Sequence, residues 1–334
     1  MKKRKRLALL FGGAGAEHNV SLMSAKYIRT LIDRQRFNTL PILIDRDGRW
    51  YAELKGALVP VTLKREKRVV AQVADKVLPL DCAFPMLHGD FGEDGRVQGL
   101  LDCLGLPYVG EGVRSGAVCA DKHLCKLIAA ALGIKSADSV LIDESMSDGF
   151  AARLIEERIG YPVILKPASL GSSVGIEAVR TPAELQDALA RARRRDKRIL
   201  AEVLLEDIRE IECGILRIGK EILLTKPGEV KAAGVYDYDK KYRGAKGVEI
   251  IDTAELTERQ SEQLREYCLR LTEAIGIRQI GRFDFFLTKD EIYLNEINTM
   301  PGMTEGSLYP RMLSASGISP FFAINSLIEE CMLP

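Results

Sequence analysis

The chain has 334 residues, 46% of them hydrophobic and 28% charged, with a formal net charge of +1 at neutral pH. That length exceeds one ordinary core and calls for two or three globular domains, and the charge balance excludes a general attraction to nucleic acid or to an anionic membrane. Seven cysteines, at positions 82, 103, 119, 125, 213, 268 and 331, form no CxxC pair, and only three histidines are present. They read as reduced core thiols of a cytoplasmic protein, not as a disulfide or zinc framework.

The start, MKKRKRLALLFGG, has the charge of a signal n-region, but its apolar run Leu7–Phe11 is too short for an h-region and suits a buried first strand. No run approaches a membrane span. After Gly12-Gly13-Ala14-Gly15-Ala16-Glu17-His18, Ser21 is expected to cap a helix over residues 22–35. Strand, glycine turn and helix open a parallel α/β unit. A dinucleotide site is the alternative, and GAGAEH lacks the third small residue of GxGxxG. Thr39–Ile44 and Cys82–Met86 are predicted strands, with Asp47-Gly48 turning toward Trp50. Ligands of open α/β sheets lie beyond strand carboxyl ends, so Glu17 and His88 are placed in one crevice, with a structural His88 as the alternative. Gly89, Gly92 and Gly95 make a tight loop before a helix over Arg96–Leu104.

Near Gly116 the pattern changes, and Asp121 is predicted to cap a helix closed by Gly133. Residues 141–148 read as a linker and Phe150–Ile159 as a helix, followed by a strand ending at Lys166-Pro167. The glycine–serine segment from Gly171 to Gly175 beside Lys166 reads as a phosphate lid or as a plain hairpin tip. Arg191–Arg198 carries no aromatic partner and reads as the solvated end of a helix that starts at Pro182. Ile199–Leu205, Ile211–Arg217 and Ile222–Leu224 are predicted strands. The aromatic and charged loop from Lys231 to Gly247 reads as a lid. Helices are predicted over Glu258–Ile275, ending at Gly276, and over Asn325–Cys331.

The stretch from Gly281 to Ser307 holds the densest chemistry. Phe283–Leu287 and Ile292–Ile297 flank the polar turn Thr288–Glu291 and predict an antiparallel hairpin. Pairing Thr288 with Ile292 sets Asp284 opposite Glu296, and alternation puts Ile292, Leu294, Glu296 and Asn298 on one face. Opposed carboxylates in a half-buried sheet need neutralising. An all-oxygen set suits Mg²⁺ bound jointly with phosphate. A solvent-facing edge hairpin is the alternative. Gly302, Gly306 and Ser307 add amide and hydroxyl donors beside the acids.

Together and in this order, FGGAGAEHNVS, LHGDFGEDGRVQG, LKPASLGSSVG, YDYDKKY, GRFDFF and LNEINTMPGMT make the chain closely resemble the D-alanine–D-alanine ligases of the ATP-grasp superfamily, over nearly its whole length. The resemblance implies an α/β fold, in part α+β, of three domains at 1–118, 119–206 and 207–334, with ATP between two antiparallel sheets. It implies joining of two D-alanines through D-alanyl phosphate for peptidoglycan precursor, with ATP as substrate and Mg²⁺ at two sites, Mn²⁺ being an alternative. It further implies a cytoplasmic homodimer with no nucleic-acid or membrane partner.

Residue by residue, the resemblance gives Glu17 to the first substrate's ammonium and Lys122 and Lys166 to the ATP phosphates. Ser172 links Glu17 to Tyr242, Glu202 and Leu205 form the hinge around adenine, and Glu210 takes the ribose. Lys241 and Tyr242 close over the phosphate and the second substrate, while Arg282 and the Gly302 amide face the oxyanion. Asp284, Glu296 and Asn298 hold the metal. Ser307 binds the second carboxylate, with His88 and Leu308 also in the substrate pocket. Two departures stand out: the hinge LLEDIREIEC lacks a glycine turn and is one residue longer, and Glu305 and Gly306 have no assigned role. Relatives that make D-alanyl-D-lactate or D-alanyl-D-serine are the nearest alternatives, distinguished at Tyr242. A dinucleotide-dependent oxidoreductase and a regulatory protein without catalysis are the others. The defective GxGxxG opposes the first, and the full set of matched positions opposes the second.

Overall fold

The computed structural model describes residues 4–171, 175–232, 248–289 and 291–333, and three sheets organise them. The first contains β1 (Lys5–Gly12), β2 (Phe37–Ile44), β3 (Trp50–Leu54), β4 (Ala57–Arg65), β5 (Val69–Val73), β6 (Lys76–Pro79) and β7 (Cys82–Met86), in the order β6-β5-β4-β3-β2-β1-β7. Its parallel centre, β2-β1-β7, is made of the continuous apolar runs read from the sequence. Strands β3 to β6 extend it as an antiparallel meander. Residues 57–79 carry no assignment from sequence, because β4 is mostly exposed, β6 is half-exposed and neither shows a clean alternation.

The first helix corrects an expectation. Helix α1 (His18–Leu31) starts ahead of Ser21, with Glu17 at its N-cap position and no side-chain cap bond. Ser21 is fully buried, accepts from the Gly12 amide (2.8 Å) and donates to the Met86 carbonyl (2.5 Å). Its hydroxyl ties the carboxyl ends of β1 and β7 together instead of capping. Gly12 makes the early start possible. It has φ +95, and a Cβ there would lie 2.2 Å from the Ile44 carbonyl. Helices α2 (Arg96–Leu104), α3 (Val113–Ala120) and α4 (Lys122–Ala131) follow. Asp121 caps α4 through the His123 and Leu124 amides, as its position predicts.

The second sheet is antiparallel, β10-β9-β11-β8, from β8 (Ser139–Asp143), β9 (Val163–Pro167), β10 (Glu177–Val179) and β11 (Arg198–Val203). Residues 141–148 are therefore not all linker: Val140 and Ile142 point into the core and make β8 an edge strand. Helices α5 (Asp148–Arg158) and α6 (Pro182–Arg193) pack against it through Ile155, Leu185 and Leu189. The basic run from the last turn of α6 to the start of β11 is a paired surface, with Arg191 on Glu177, Arg193 on Asp148 and Arg198 on Asp121.

The third sheet runs β15-β14-β12-β16-β17, with β13 also on β12. Its strands are β12 (Arg209–Ile218), β13 (Glu221–Leu224), β14 (Gly228–Ala232), β15 (Val248–Ile251), β16 (Ile280–Leu287) and β17 (Ile292–Asn298). One face, carrying Ile211, Cys213, Phe283, Phe285 and Leu287, packs on α4 and on α7 (Glu258–Ile275). Helix α7 runs between a Thr257–Gln260 capping box and Gly276. Helices α8 (Leu308–Ala315) and α9 (Pro320–Glu330) close the fold, α9 beginning five residues before the expected Asn325 because Pro320 starts it. Asn325 accepts from the Asp33 amide and donates to the Leu31 carbonyl (both 2.8 Å), docking α9 on α1. All seven cysteines are free. Five are buried and Cys331 is half-buried against the core, while Cys103 is exposed, so the core reading fails for Cys103. Among the described residues no helix is long and apolar enough to cross a membrane.

Phe283 is fully buried at the centre of the third sheet's packed face. Phe283→Ala should cost about 3–5 kcal/mol, read as a lower urea midpoint. A midpoint equal to that of the wild type would contradict this packing.

Candidate active site

The β16–β17 hairpin forms with a different register at its turn from the one expected. Leu287 pairs with Ile292, not Thr288, which instead closes the turn by donating its amide to the Glu291 carbonyl (3.0 Å). A bulge at Asn295 then shifts the ladder by one, so Asp284 does face Glu296 and Arg282 faces Asn298. The extra residue also switches the faces. Ile292, Leu294 and Ile297 enter the core, while Glu296 and Asn298 stand on the opposite, partly open face. The single shared face expected from strict alternation is therefore two faces divided at Asn295.

On the open face a buried charge network crosses three strands. The Arg282 guanidinium, 6% exposed, grips Asp284 bidentately (Nε 2.7 Å, Nη2 2.6 Å) and lies 3.0 Å from Glu212 on β12. Burial works against the cation, yet Asp284 and Glu212 outweigh it and hold its pKa well above the ordinary value. Asn298 turns its Nδ2 to Asp284 Oδ2 (2.9 Å), so Oδ1 is the atom it has left to offer. Glu296 lies 3.4 Å from the Lys122 ammonium, which also donates to the Leu170 carbonyl (2.6 Å). Among the described residues no three His, Cys, Asp or Glu side chains converge as a metal group. The set here is two carboxylates and an amide oxygen, which is what a hard divalent cation takes.

A second cluster joins the second and third sheets. Lys166 on β9 donates to Glu202 (2.7 Å) and to Asn295 (3.1 Å), and its ammonium lies 5.3 Å from the Phe286 ring centroid. Lys126, one turn after Lys122 on α4, reaches the other Glu202 oxygen (3.2 Å). Burial opposes the Glu202 charge, but the two ammonium groups outweigh it and hold the carboxyl below its usual range. The Glu202 side chain is thus committed to lysines, and only its backbone is left to read a base edge. Leu205 lies half-buried just past β11. Glu210 lies on β12 opposite Phe286, on the same face as Glu212.

The third group comes from the first sheet. Glu17 is buried with its carboxylate against Gly89, where a Cβ would sit 2.3 Å from Oε2, and near Gly171. Glu93 accepts from the Gly89 amide (2.7 Å) and the Met300 amide (3.1 Å). His88 has one ring nitrogen 2.9 Å from Ser24 Oγ and the other 3.1 Å from the Met300 carbonyl. The ring bridges α1 and the loop after β17. On that loop, Ser307 at the N-cap of α8 accepts from the Thr304 amide (3.1 Å) and lies close to Gly302. Leu308 is buried in the core, which leaves its backbone rather than its side chain for a ligand. Ser172, Lys241 and Tyr242 lie outside the described residues.

Sequence reading missed Glu212, Lys126, Asn295 and Glu93. Strand alternation from Glu210 and helical spacing from Lys122 carry signals for the first two. Asn295 matters only because of the bulge, which has no sequence signature here.

A family model described as "D-ala D-ala ligase N-terminus" matches residues 6–111, and one described as "D-ala D-ala ligase C-terminus" matches 128–329. A D-alanine–D-alanine ligase from Chlorobium limicola is 38% identical, covering 95% of this chain and 94% of its own. The solved D-alanine–D-alanine ligase of Coxiella burnetii is similar at a TM-score of 0.87 and 31% identity, over 98% of this chain and 94% of that one. A D-Ala:D-Ser ligase from Enterococcus faecalis has a TM-score of 0.88 at 31% identity, over 98% of this chain and 100% of that one.

Burial, reinforced by Glu17, pushes the Glu93 carboxyl from its ordinary 4.5 up to about 8. Between those values the unfolded chain has released this proton while the native state holds it. The Glu93 contribution to stability is therefore complete below the lower value and is lost as pH rises to the upper one. Against Glu93→Gln, which cannot ionise, the wild type should lose stability progressively from about pH 5 to about pH 8. Urea midpoints of the two proteins that run parallel over that range would refute the shift.

Proposed function

The chain belongs to the D-alanine–D-alanine ligase family, and we propose that it joins two D-alanines into D-alanyl-D-alanine for peptidoglycan precursor, consuming ATP. The observation that carries this reading is the meeting of Arg282, Asp284, Glu296 and Asn298 with the α4 lysine Lys122 at one end of a hairpin. The family ligates in two steps. The carboxylate of the first D-alanine takes the γ-phosphoryl group with release of ADP, and the amine of the second then attacks the acyl carbon with release of phosphate.

The residues of this chain supply the positioning. Glu17, held between Gly89 and Gly171, meets the ammonium of the first substrate and fixes which end of it points at the phosphate. Lys122 and Lys166 bring positive charge to the ATP phosphates, with Glu202 keeping Lys166 and Lys126 extended toward that region. Backbone from Glu202 to Leu205 receives adenine, and Glu210 the ribose. Asp284, Glu296 and Asn298 would hold Mg²⁺ at two sites, or Mn²⁺, which would supply positive charge to offset that of the transferring phosphoryl group. Arg282, fixed in plane by its bidentate grip on Asp284, faces the developing oxyanion together with the Gly302 amide. Ser307 and the backbone of Leu308 receive the carboxylate of the second substrate at the start of α8. The reading includes domains at 1–118, 119–206 and 207–334, a homodimer and a cytoplasmic location, all carried from the family resemblance.

A sibling D-alanyl-D-serine ligase is the second reading, favoured by the likeness to the Enterococcus faecalis enzyme. One assay separates the two: phosphate release from ATP with D-alanine alone, then with D-serine, D-lactate or L-alanine added. Dipeptide formed mainly from D-alanine is expected, and a mixed product formed in preference to it would overturn the reading. Glu296→Gln should lower kcat by on the order of a hundredfold or more while leaving the fold intact. Near-normal turnover at low Mg²⁺ would remove Glu296 from the metal site.

A further inference from the structure

Glu111 is 2% exposed, in the segment between α2 and α3, and nothing assigned to the reaction uses it. Its carboxylate is nevertheless fully occupied. Oε2 accepts from the Arg278 amide (2.8 Å) and from Ser115 Oγ (3.1 Å), and Oε1 accepts from the amides of Gln279 (2.8 Å) and Ile280 (3.1 Å). Three consecutive amides converging on one anion form a concave nest, not the alternating pattern of a strand. The same two segments are laced further. Gln279 Oε1 accepts from the Gly110 amide (2.7 Å), and Arg278 Nε donates to the Gly110 carbonyl (2.8 Å). The Arg278 guanidinium stacks 4.5 Å from the Tyr108 ring centroid.

This nest is the doorway of β16. Ile280 is the strand's first residue, and Arg282 and Asp284 follow on it. A carboxylate buried without an ion-pair partner is an expensive fastener, and an apolar contact holds two segments together at less cost. What the carboxylate provides is direction, since it sets three successive peptide planes at once. We propose that Glu111 is a positioning residue for ligation, fixing the entry of β16 so that Arg282 stands at the reacting carbonyl. This rests on the reading of Arg282 given above.

Glu111→Gln keeps the size but sets an amide NH₂ against backbone N–H donors. It should lower kcat about tenfold and leave KM for ATP and for D-alanine within about twofold, because the lost interaction acts in the transition state. Ser115→Ala, which removes one of the four donors, should lower kcat less and in the same kcat-only manner. In an Arg282→Lys background, Glu111→Gln should add little further loss, since both changes act through one group. All are measured at a temperature where circular dichroism shows each variant folded. A kcat for Glu111→Gln within twofold of wild type, a loss confined to KM, or a full multiplicative loss in the Arg282→Lys background would overturn the proposal. If Glu111→Gln does not fold, an unchanged kcat in Ser115→Ala overturns it. Arg282→Lys with wild-type kcat would instead defeat the reading of Arg282 itself, so the two failures are distinguishable.

Discussion

The structure depends on a buried cation held between two carboxylates. Arg282, from β16, lies within hydrogen-bonding reach of Asp284 on its own strand and of Glu212 on the neighbouring one. Each of these three charges would be costly to bury alone. Together they fix the side-chain order on the open face of the third sheet, because moving any one leaves another uncompensated. The opposite face is an apolar layer of Phe283, Phe285, Leu287 and Ile297 against α4 and α7. The sheet is thus a rigid plate with a hydrophobic back and an electrostatic front, and the proposed chemistry occupies the front.

The second sheet meets that plate through lysines. Lys166, Lys126 and Glu202 form a buried triad, and Lys166 reaches across to Asn295 at the bulge. Two lysines share one carboxylate between the sheets, and the neighbouring cleft is lined by Asp90, Glu93, Asp94 and Glu296 together with Lys122. Charge of both signs therefore meets in that cleft, where the Lys122 ammonium lies 3.4 Å from Glu296.

Much of this was legible in the sequence. Helix α7 was readable at both ends, because Gly276 stops it in the left-handed region and its apolar stripe is strongly periodic. Strand β7 was readable because a continuous apolar run buried on both faces has little competition. The facing of Asp284 and Glu296 was readable too, although through a compensating pair of errors: the turn closes one residue early and the bulge restores the register. Ser21 was misread as a cap because a serine before an apolar run carries that signal, whereas its hydroxyl answers carbonyl and amide groups brought near by tertiary folding. The partners of His88 were hidden for the same reason: the Ser24 and Met300 groups that its ring meets are 64 and 212 residues away in the chain. Local patterns show which elements form. They do not show which polar group a buried side chain will find.

The docking of α9 on α1 bears on the order in which this protein can be made. One apolar cluster contains Leu7, Phe84 and Met86 from the first sheet together with Ile324, Leu327 and Ile328 from α9. A ribosome releases the first of these long before the last. At typical elongation rates the interval is roughly 15–60 s. Throughout it, the first sheet carries an apolar flank that the neighbouring α1 covers only in part, through Ala25 and Ile28. The nascent protein therefore passes through a stage in which its earliest part is built but not sealed, and sealing waits for the final helix. That stage is where a holding chaperone would act on it, and where newly made copies would clump if none did.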